Sequence, residues 1–381
     1  MLVKLTDYVK VISGGTPKTN ILEYWNGIIP WLTIDDFRNS NKYVYVSEKT
    51  ITQKGVDNSS TNILTFNDII ISARGTVGKI ALIYKNMAFN QSCFGLRVKN
   101  EKLLNSEYLF YYLKCNISTI LRKTQGAIFD SINLNTFNYI SIDLPPLEIQ
   151  NKIASILSSI DNQIERNTTM VKKLQVLSQG IFNKLFSDET NNISLLDFPY
   201  IQIIKPGISK FEGTKHYIAT AEVDNEKVNY NAPLIDFDTR ENRANMQPVK
   251  NSVWFAKMKN SLKHIYISDA DSMMCSNYIF STGFTGIKCD DFAFEYLVNF
   301  INMPYFENKK NILSHGATME GVNNEDLKSI QIPLPSKDKL IIFHNKVKEI
   351  HYQTTKLNEQ TFKLNVLKEK LLPLLINGQL I

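Results

Sequence analysis

The chain has 381 residues, 43% of them apolar, with 43 Lys and Arg against 37 Asp and Glu and a formal net charge of +6. That length gives room for two or three packed domains, and a charge surplus this small does not by itself point to nucleic acid. The opening MLVKLTDYVKVISGG has neither a long apolar run nor a small-residue cleavage site, and no window of about 18 uninterrupted apolar residues follows, so neither export nor a membrane span is expected. Cys93, Cys115, Cys275 and Cys289 are too scattered for a zinc site or a disulfide framework; no metal or cofactor is expected, and a reducing cytoplasm is the expected compartment.

In chain order, GGTPKT (Gly14 to Thr19) reads as a turn whose Thr16 and Lys18 can face a phosphate or serve the turn alone. Asp35 and Asp36, after Trp31, would repel phosphate; they either accept from a cytosine amine or brace their loop, and bracing is the favoured reading. Short runs such as DIIISA, KIALIY and YISIDL, rich in Ile and bounded by Gly, Asn and Asp, read as strands. Between the first two lies SARGTVGK, where Arg74 and Lys79 flank Gly75, Thr76 and Gly78, a turn through which backbone amides can approach a phosphate, or an ordinary glycine hairpin. Asn90 and Gln91, and Gln125 in QGAIFDSIN, carry amides able to pair with adenine, though polar residues beside strands also satisfy backbone groups.

Asp143-Leu144-Pro145-Pro146 superficially resembles an amino-methyltransferase motif, but a leucine separates acid from prolines and Leu147 stands where an aromatic should stack on the base. The prolines are better read as the end of a strand and the start of a helix, with Glu148 suited to the helix dipole. From there the apolar period becomes heptadic. Ile153, Ile160, Asn167, Leu174 and Ile181 alternate with Leu157, Ile164, Val171, Ser178 and Leu185. A helix of roughly 40 residues would be about 60 Å long.

A shift of 190 residues lays TQGAIFDSINLNTFNYISIDLPPLEIQ on SHGATMEGVNNEDLKSIQIPLPSKDKL without a gap, so the chain is two diverged copies of one unit. NDIIISARGTVGK faces NSVWFAKMKNSLK, in which Lys257, Lys259 and Lys263 keep cations where the glycines disappear, while Trp254 and Phe255 are expected in the core. Ser281 and Thr282 match Asn90 and Gln91. The second seam runs through Phe343, Val347, Ile350, Leu357, Leu364 and Leu371, and Pro373 is expected to kink or end that helix. Neither long, half-apolar helix is stable alone, so the two are expected to pair antiparallel.

The ordered set SGGTPKT, WNGIIPWLTIDDF, NDIIISARGTVGKIAL, NQSCFGLRV and DLPPLEIQNKIASILSSIDNQIERN resembles the first half of the specificity subunit of type I restriction-modification systems, and the remainder resembles its divergent second half. The resemblance implies an α+β chain with target-recognition domains over 1–146 and 188–335 and spacer helices over 147–187 and 336–378. It implies a non-catalytic subunit that reads a split sequence in double-stranded DNA and docks two modification subunits and the restriction subunits, which perform the chemistry. The other reading from the residues is a coiled-coil adaptor whose globular units bind protein partners. Divergence of the turns with retention of the helices favours a reader of two unlike half-sites, and neither copy assembles a nucleophile, base and orienting group.

Overall fold

In a computed structural model that describes residues 2–37, 42–125, 132–316 and 320–380, the chain forms two compact units. Unit 1 comprises residues 1–164 and 364–381, and unit 2 residues 165–363, so each takes part of both long helices.

Unit 1 contains β1 (Leu2–Lys4), α1 (Leu5–Tyr8), β2 (Val9–Ser13), β3 (Trp25–Leu32), β4 (Tyr43–Val44), β5 (Lys49–Ile51), α2 (Gln53–Asp57), β6 (Ile63–Leu64), β7 (Ile69–Ser72), β8 (Ile80–Ile83), β9 (Met87–Phe89), β10 (Cys93–Val98), α3 (Ser106–Gln125), β11 (Ser141–Asp143) and the start of α4 (Leu147–Phe186). One sheet has the order β2-β10-β7-β8-β4, a second β5-β3-β9-β6, and β1 pairs with β11. The IIIS and IALI runs of β7 and β8 are buried throughout because both faces are covered.

Unit 2 repeats this plan with β12 (Asn192–Ser194), β13 (Ile201–Ile203), β14 (Thr214–Ile218), β15 (Val223–Asp224), β16 (Lys227–Val228), β17 (Leu234–Asp236), β18 (Ala244–Met246), β19 (Ser252–Ala256), β20 (His264–Ile267), α5 (Ser272–Asn277), β21 (Tyr278–Ser281), β22 (Phe284–Cys289), α6 (Phe294–Ile301), α7 (Pro304–Leu313), β23 (Gln331–Pro333) and the start of α8 (Lys337–Ile376). Its sheets run β13-β22-β19-β20 and β17-β14-β21-β18, with β12 on β23. In the second sheet of each unit the central pair is parallel, Trp31 opposite Ala88 and Tyr217 opposite Ile279. Asn67 and Asn251 stand in left-handed backbone (φ 63° and 51°) before the matching β7 and β19. The expected duplication is therefore a duplication of topology.

The Asp-Leu-Pro-Pro segment closes unit 1. Leu2 pairs with Asp143, as Asn192 pairs with Pro333 in unit 2. Tyr108 donates to the Asp143 carbonyl at 3.1 Å, and Tyr296, its counterpart in the repeated Glu-Tyr-Leu, donates to that of Pro333 at 2.7 Å.

Within unit 1, Ile153, Ala154 and Leu157 share a core with Leu375 and Ile376, and Lys368 Nζ meets Asp161 at 2.5 Å, where Tyr111 also donates at 2.6 Å. Within unit 2, the Phe182 and Phe186 rings lie 5.8 and 5.3 Å from Phe343, and Ser178 Oγ lies 3.1 Å from both His351 Nε2 and Asn299 Oδ1. In each unit the two helices thus run antiparallel. The seam departs from strict heptads: Leu174, Ile181 and Leu185 are half-buried while Phe182 and Phe186 are buried, because 3.6 residues per turn drifts about 20° per heptad. Ile160 is buried and Ile164 half-buried on α4, and on α8 Phe343 and Val347 are buried with Ile350, Leu357, Leu364 and Leu371 half-buried. Pro373 does not end α8, which continues to Ile376 and closes on Gly378 (φ 69°), with Gly378 N donating to Leu375 O and Gln379 N to Leu374 O at 3.3 and 2.9 Å.

Lys368→Met leaves the buried Asp161 charge without its cation and should destabilise unit 1 by about 3 kcal/mol, with most of the loss recovered by adding Asp161→Leu; denaturant titration measures both. His351 is held down to about 4 by burial, against an ordinary 6.5. Between those values the unfolded chain takes up a proton that the folded chain refuses, so this histidine costs stability as pH falls through the window. His344, raised chiefly by its hydrogen bond to Glu295, acts in the opposite sense, adding stability below 6.5 that is lost as pH rises. Stability should accordingly fall more steeply from pH 6.5 to 4 in the unmodified chain than in His351→Gln, read by melting temperature across that range.

Candidate nucleic-acid interface

Four of the sequence-predicted segments of unit 1 meet along one rim. Gly15 N donates to Phe89 O at 2.9 Å, the Trp31 indole to Gly15 O at 3.0 Å, and the Thr16 hydroxyl to Gln91 Oε1. A β-carbon on Gly14 would lie 2.0 Å from Asn90 O, so only glycine admits this approach. Asn90 N bonds Leu32 O, Ala73 N bonds Ser92 O at 2.8 Å, and Gly75 borders the Ile34 side chain. The GGTPKT turn, the turn after β3, the SARGTVGK hairpin and the Asn90-Gln91 turn are therefore one surface.

Within it the residues divide by what holds them. Lys18, Arg74, Gly75, Thr76 and Gln91 are exposed, whereas Thr16, Lys79 and Asn90 are half-buried and Gly78 is buried. The Ser72 hydroxyl closes the hairpin by donating to Thr76 O and accepting from Lys79 N, with Gly75 and Gly78 at φ 69° and 87°. Lys79 Nζ turns inward to Ile34 O at 3.5 Å, and Asn90 Oδ1 accepts from Ser92 N at 3.1 Å. Asp36 braces as expected: its carboxylate accepts from Thr33 N and Glu48 N, each at 2.7 Å. A cleft of about 310 Å³ lined by Asp35, Asp36, Glu48, Lys49 and Asn90 gives that stretch of the rim an acidic character, in contrast to the exposed cation of Arg74. Cys93 beneath the rim is inert, its thiol pushed up to about 12 by burial with the charge of Asp36 adding to it. Gln125 ends α3, and its side chain, like residues 126–131 of the predicted QGAIFDS turn, lies outside the described residues.

The equivalent rim of unit 2 keeps the frame and changes the residues. Val322 N donates to Lys257 O at 2.9 Å as Ile132 N does to Ala73 O at 2.7 Å, and Ala256 N donates to Lys263 O as Ser72 N does to Lys79 O. Lys257 is half-buried and burial lowers its pKa; Lys259 is exposed and paired with Glu320 at 2.6 Å. Lys263 Nζ donates to Thr220 O at 2.6 Å, repeating the inward role of Lys79. Ser281, matched in sequence to exposed Gln91's turn, is instead buried, its hydroxyl accepting from Gly283 N at 3.1 Å; Thr282 is half-buried with its N–H on Arg243 O. Trp254 and Phe255 are in the core. Sequence reading passed over Arg243: it is exposed, and a β-carbon on Gly283 would meet its guanidinium at 3.3 Å, which places this cation beside the rim. The signal available was a pair of arginines three apart, Arg240 and Arg243, immediately before a strand.

Residues 1–175 match the family described as the type I restriction modification DNA specificity domain. Over 189 residues the chain is 32% identical to the type I restriction enzyme MjaIX specificity subunit of Methanocaldococcus jannaschii, covering 49% of this chain and 43% of that relative. Over 160 residues it is 32% identical to the EcoR124I/EcoR124II specificity subunit of Escherichia coli, covering 40% and 38%. The chain thus spans about two fifths of each of these curated relatives in those matches. Its fold is that of the S subunit of a type I restriction-modification system from M. genitalium, with TM-score 0.60 over 98% of this chain and 95% of that one at 16% identity. Residues 1–175 are thus similar to the DNA specificity domain of type I restriction-modification systems, and the fold over nearly the whole chain is that of an S subunit. Among the described residues no helix is long and apolar enough to cross a membrane.

Because Gly14 abuts Asn90, Gly14→Ala should destabilise unit 1 by about 1 to 3 kcal/mol through overpacking, whereas Gly75→Ala is opposed only by its left-handed backbone, about 1 kcal/mol. Paired denaturation curves would show the ordering.

Proposed function

We propose that this chain is the DNA sequence-specificity subunit of a type I restriction-modification complex, reading a bipartite target with one unit per half-site. Residues 1–146 and 188–335 are the two recognition domains, and 147–187 and 336–378 are the spacers. The chain itself is non-catalytic; two modification subunits dock on equivalent surfaces of the two copies, and restriction subunits complete the assembly. The observation that carries this reading is the contrast between frame and rim. The closing ladders, the tyrosines on them and the inward lysines are retained, while Arg74-Gly75-Thr76 becomes Met258-Lys259-Asn260. A duplicated adaptor for one peptide would keep its binding face; a reader of two unlike half-sites must change it.

The methylome of a host expressing the chain with its partner subunits should contain a single bipartite motif. Arg74→Ala should relax one half and leave the other, since a bidentate base contact carries about 1 to 3 kcal/mol of discrimination. Lys257→Ala and Lys259→Ala should act on the opposite half; if they meet phosphate only, the motif stays and the salt slope of binding falls by about one counterion each. A motif without a gap, or a stable complex with a single modification subunit at saturating partner, would contradict the proposal.

A further inference from the structure

The two rims solve the same problem by different means. In unit 1 the hairpin after β7 closes on itself, through the Ser72 hydroxyl and two left-handed glycines. In unit 2 the corresponding positions are Ala256, Lys259 and Leu262, so both the hydroxyl and the glycines are missing. A helix supplies the closure instead. Lys310 of α7 has no exposed surface, and its ammonium donates to Ser261 O at 2.5 Å and to Ala256 O at 3.4 Å, one carbonyl at each end of the turn. The neighbouring Asn311 accepts from Asn260 N at 2.7 Å, holding the residue whose φ of 58° makes the bend. Glu307 fixes the ammonium at 2.8 Å and is itself held by His264 Nε2 at 3.0 Å, while His264 Nδ1 lies 3.1 Å from Asn302 Oδ1. A lysine this deep is costly to bury unless its donors are all engaged, and here they are spent on the turn and on one carboxylate.

We infer that Lys310 is a positioning residue for DNA specificity: through Ser261 and Ala256 it presets the Lys257 to Lys263 turn, and the second half-site is read only while that clamp holds. The inference rests on the proposed reading of this turn as a DNA contact. The clamp acts without touching DNA, by ordering the turn before binding so that the ordering cost is not taken from recognition. Unit 1 needs no such clamp, because its hairpin carries its own.

The test uses the full chain. In Lys310→Met, hydrogen exchange at Asn260, whose N–H is held by the neighbouring Asn311, should quicken about tenfold, equivalent to the loss of a hydrogen bond of ordinary net strength, while the interior of β19 and β22 exchanges as before. In the assembled complex the same variant should blur the methylated motif on one side of its gap, the side that Arg74→Ala leaves intact. Unchanged exchange over 257–261, or equal loss on both sides of the gap, overturns the inference. Should Lys310→Met fail to fold, Asn311→Ala removes only the acceptor of Asn260 N; it should give the same local exchange change and one-sided blurring, and silence in both overturns the inference. If the unmodified complex writes no bipartite motif, the specificity reading fails by itself, and exchange in the free chain still decides whether Lys310 holds the turn.

Discussion

The short ladder between the first and last strands of each unit is the constraint on which the rest depends. Three residue pairs, Leu2 to Lys4 on Ser141 to Asp143 and Asn192 to Ser194 on Gln331 to Pro333, bring the chain back to where it began before releasing it into a helix of 40 residues. The ladders are too short to hold alone. They are held by Leu5 N on Ile140 O and Leu195 N on Ile330 O, at 2.9 and 2.8 Å, and by the tyrosine donated to the last strand's carbonyl. Pro145 and Pro146 matter here as geometry: they stop the strand and admit the helix without loss of a needed donor.

From that ladder the polar chemistry of the helices follows. In unit 1, Glu107 and Tyr111, one turn apart on α3, bind Ser158 and Asp161 of α4, with Lys42 and Lys368 supplying the cations. In unit 2, Glu295 and Asn299, one turn apart on α6, bind His344 of α8 and Ser178 of α4. The position is the same and the charge differs: Asp161 with Lys368 corresponds under the repeat to His351 with Ser178. Buried polar contacts of this kind add little net stability, but they penalise any other register of two otherwise similar apolar stripes.

Much of this was legible in sequence, and the reason is repetition. One gapless offset of 190 residues tied the strand, the prolines and the helix of each copy together, and the structure places them in equivalent ladders. The seam was legible in its first half and drifted later, because a heptad count cannot register the slow rotation that brings Phe182 and Phe186 inward. The rim was only partly legible. Glycines announced the turn of unit 1, whereas Lys79, Lys263 and Ser281 looked like free polar groups and are engaged inside the fold. Lys310 was invisible, since a lysine in PYFENKKNIL reads as an ordinary solvated helix residue, and its burial depends on Glu307 and on turn carbonyls distant in sequence.

Under the proposed function one frame carries two unlike reading surfaces, and the matching turns of the two units lie on different half-sites of the DNA. A photocrosslinker placed at Thr76 and, in a second preparation, at Asn260 would report that position directly in the assembled complex on a target fragment. Each should crosslink to a different side of the gap in the motif, at a single stretch of bases. Crosslinks from both to the same side, or none from either while the complex still methylates its target, would contradict that placement.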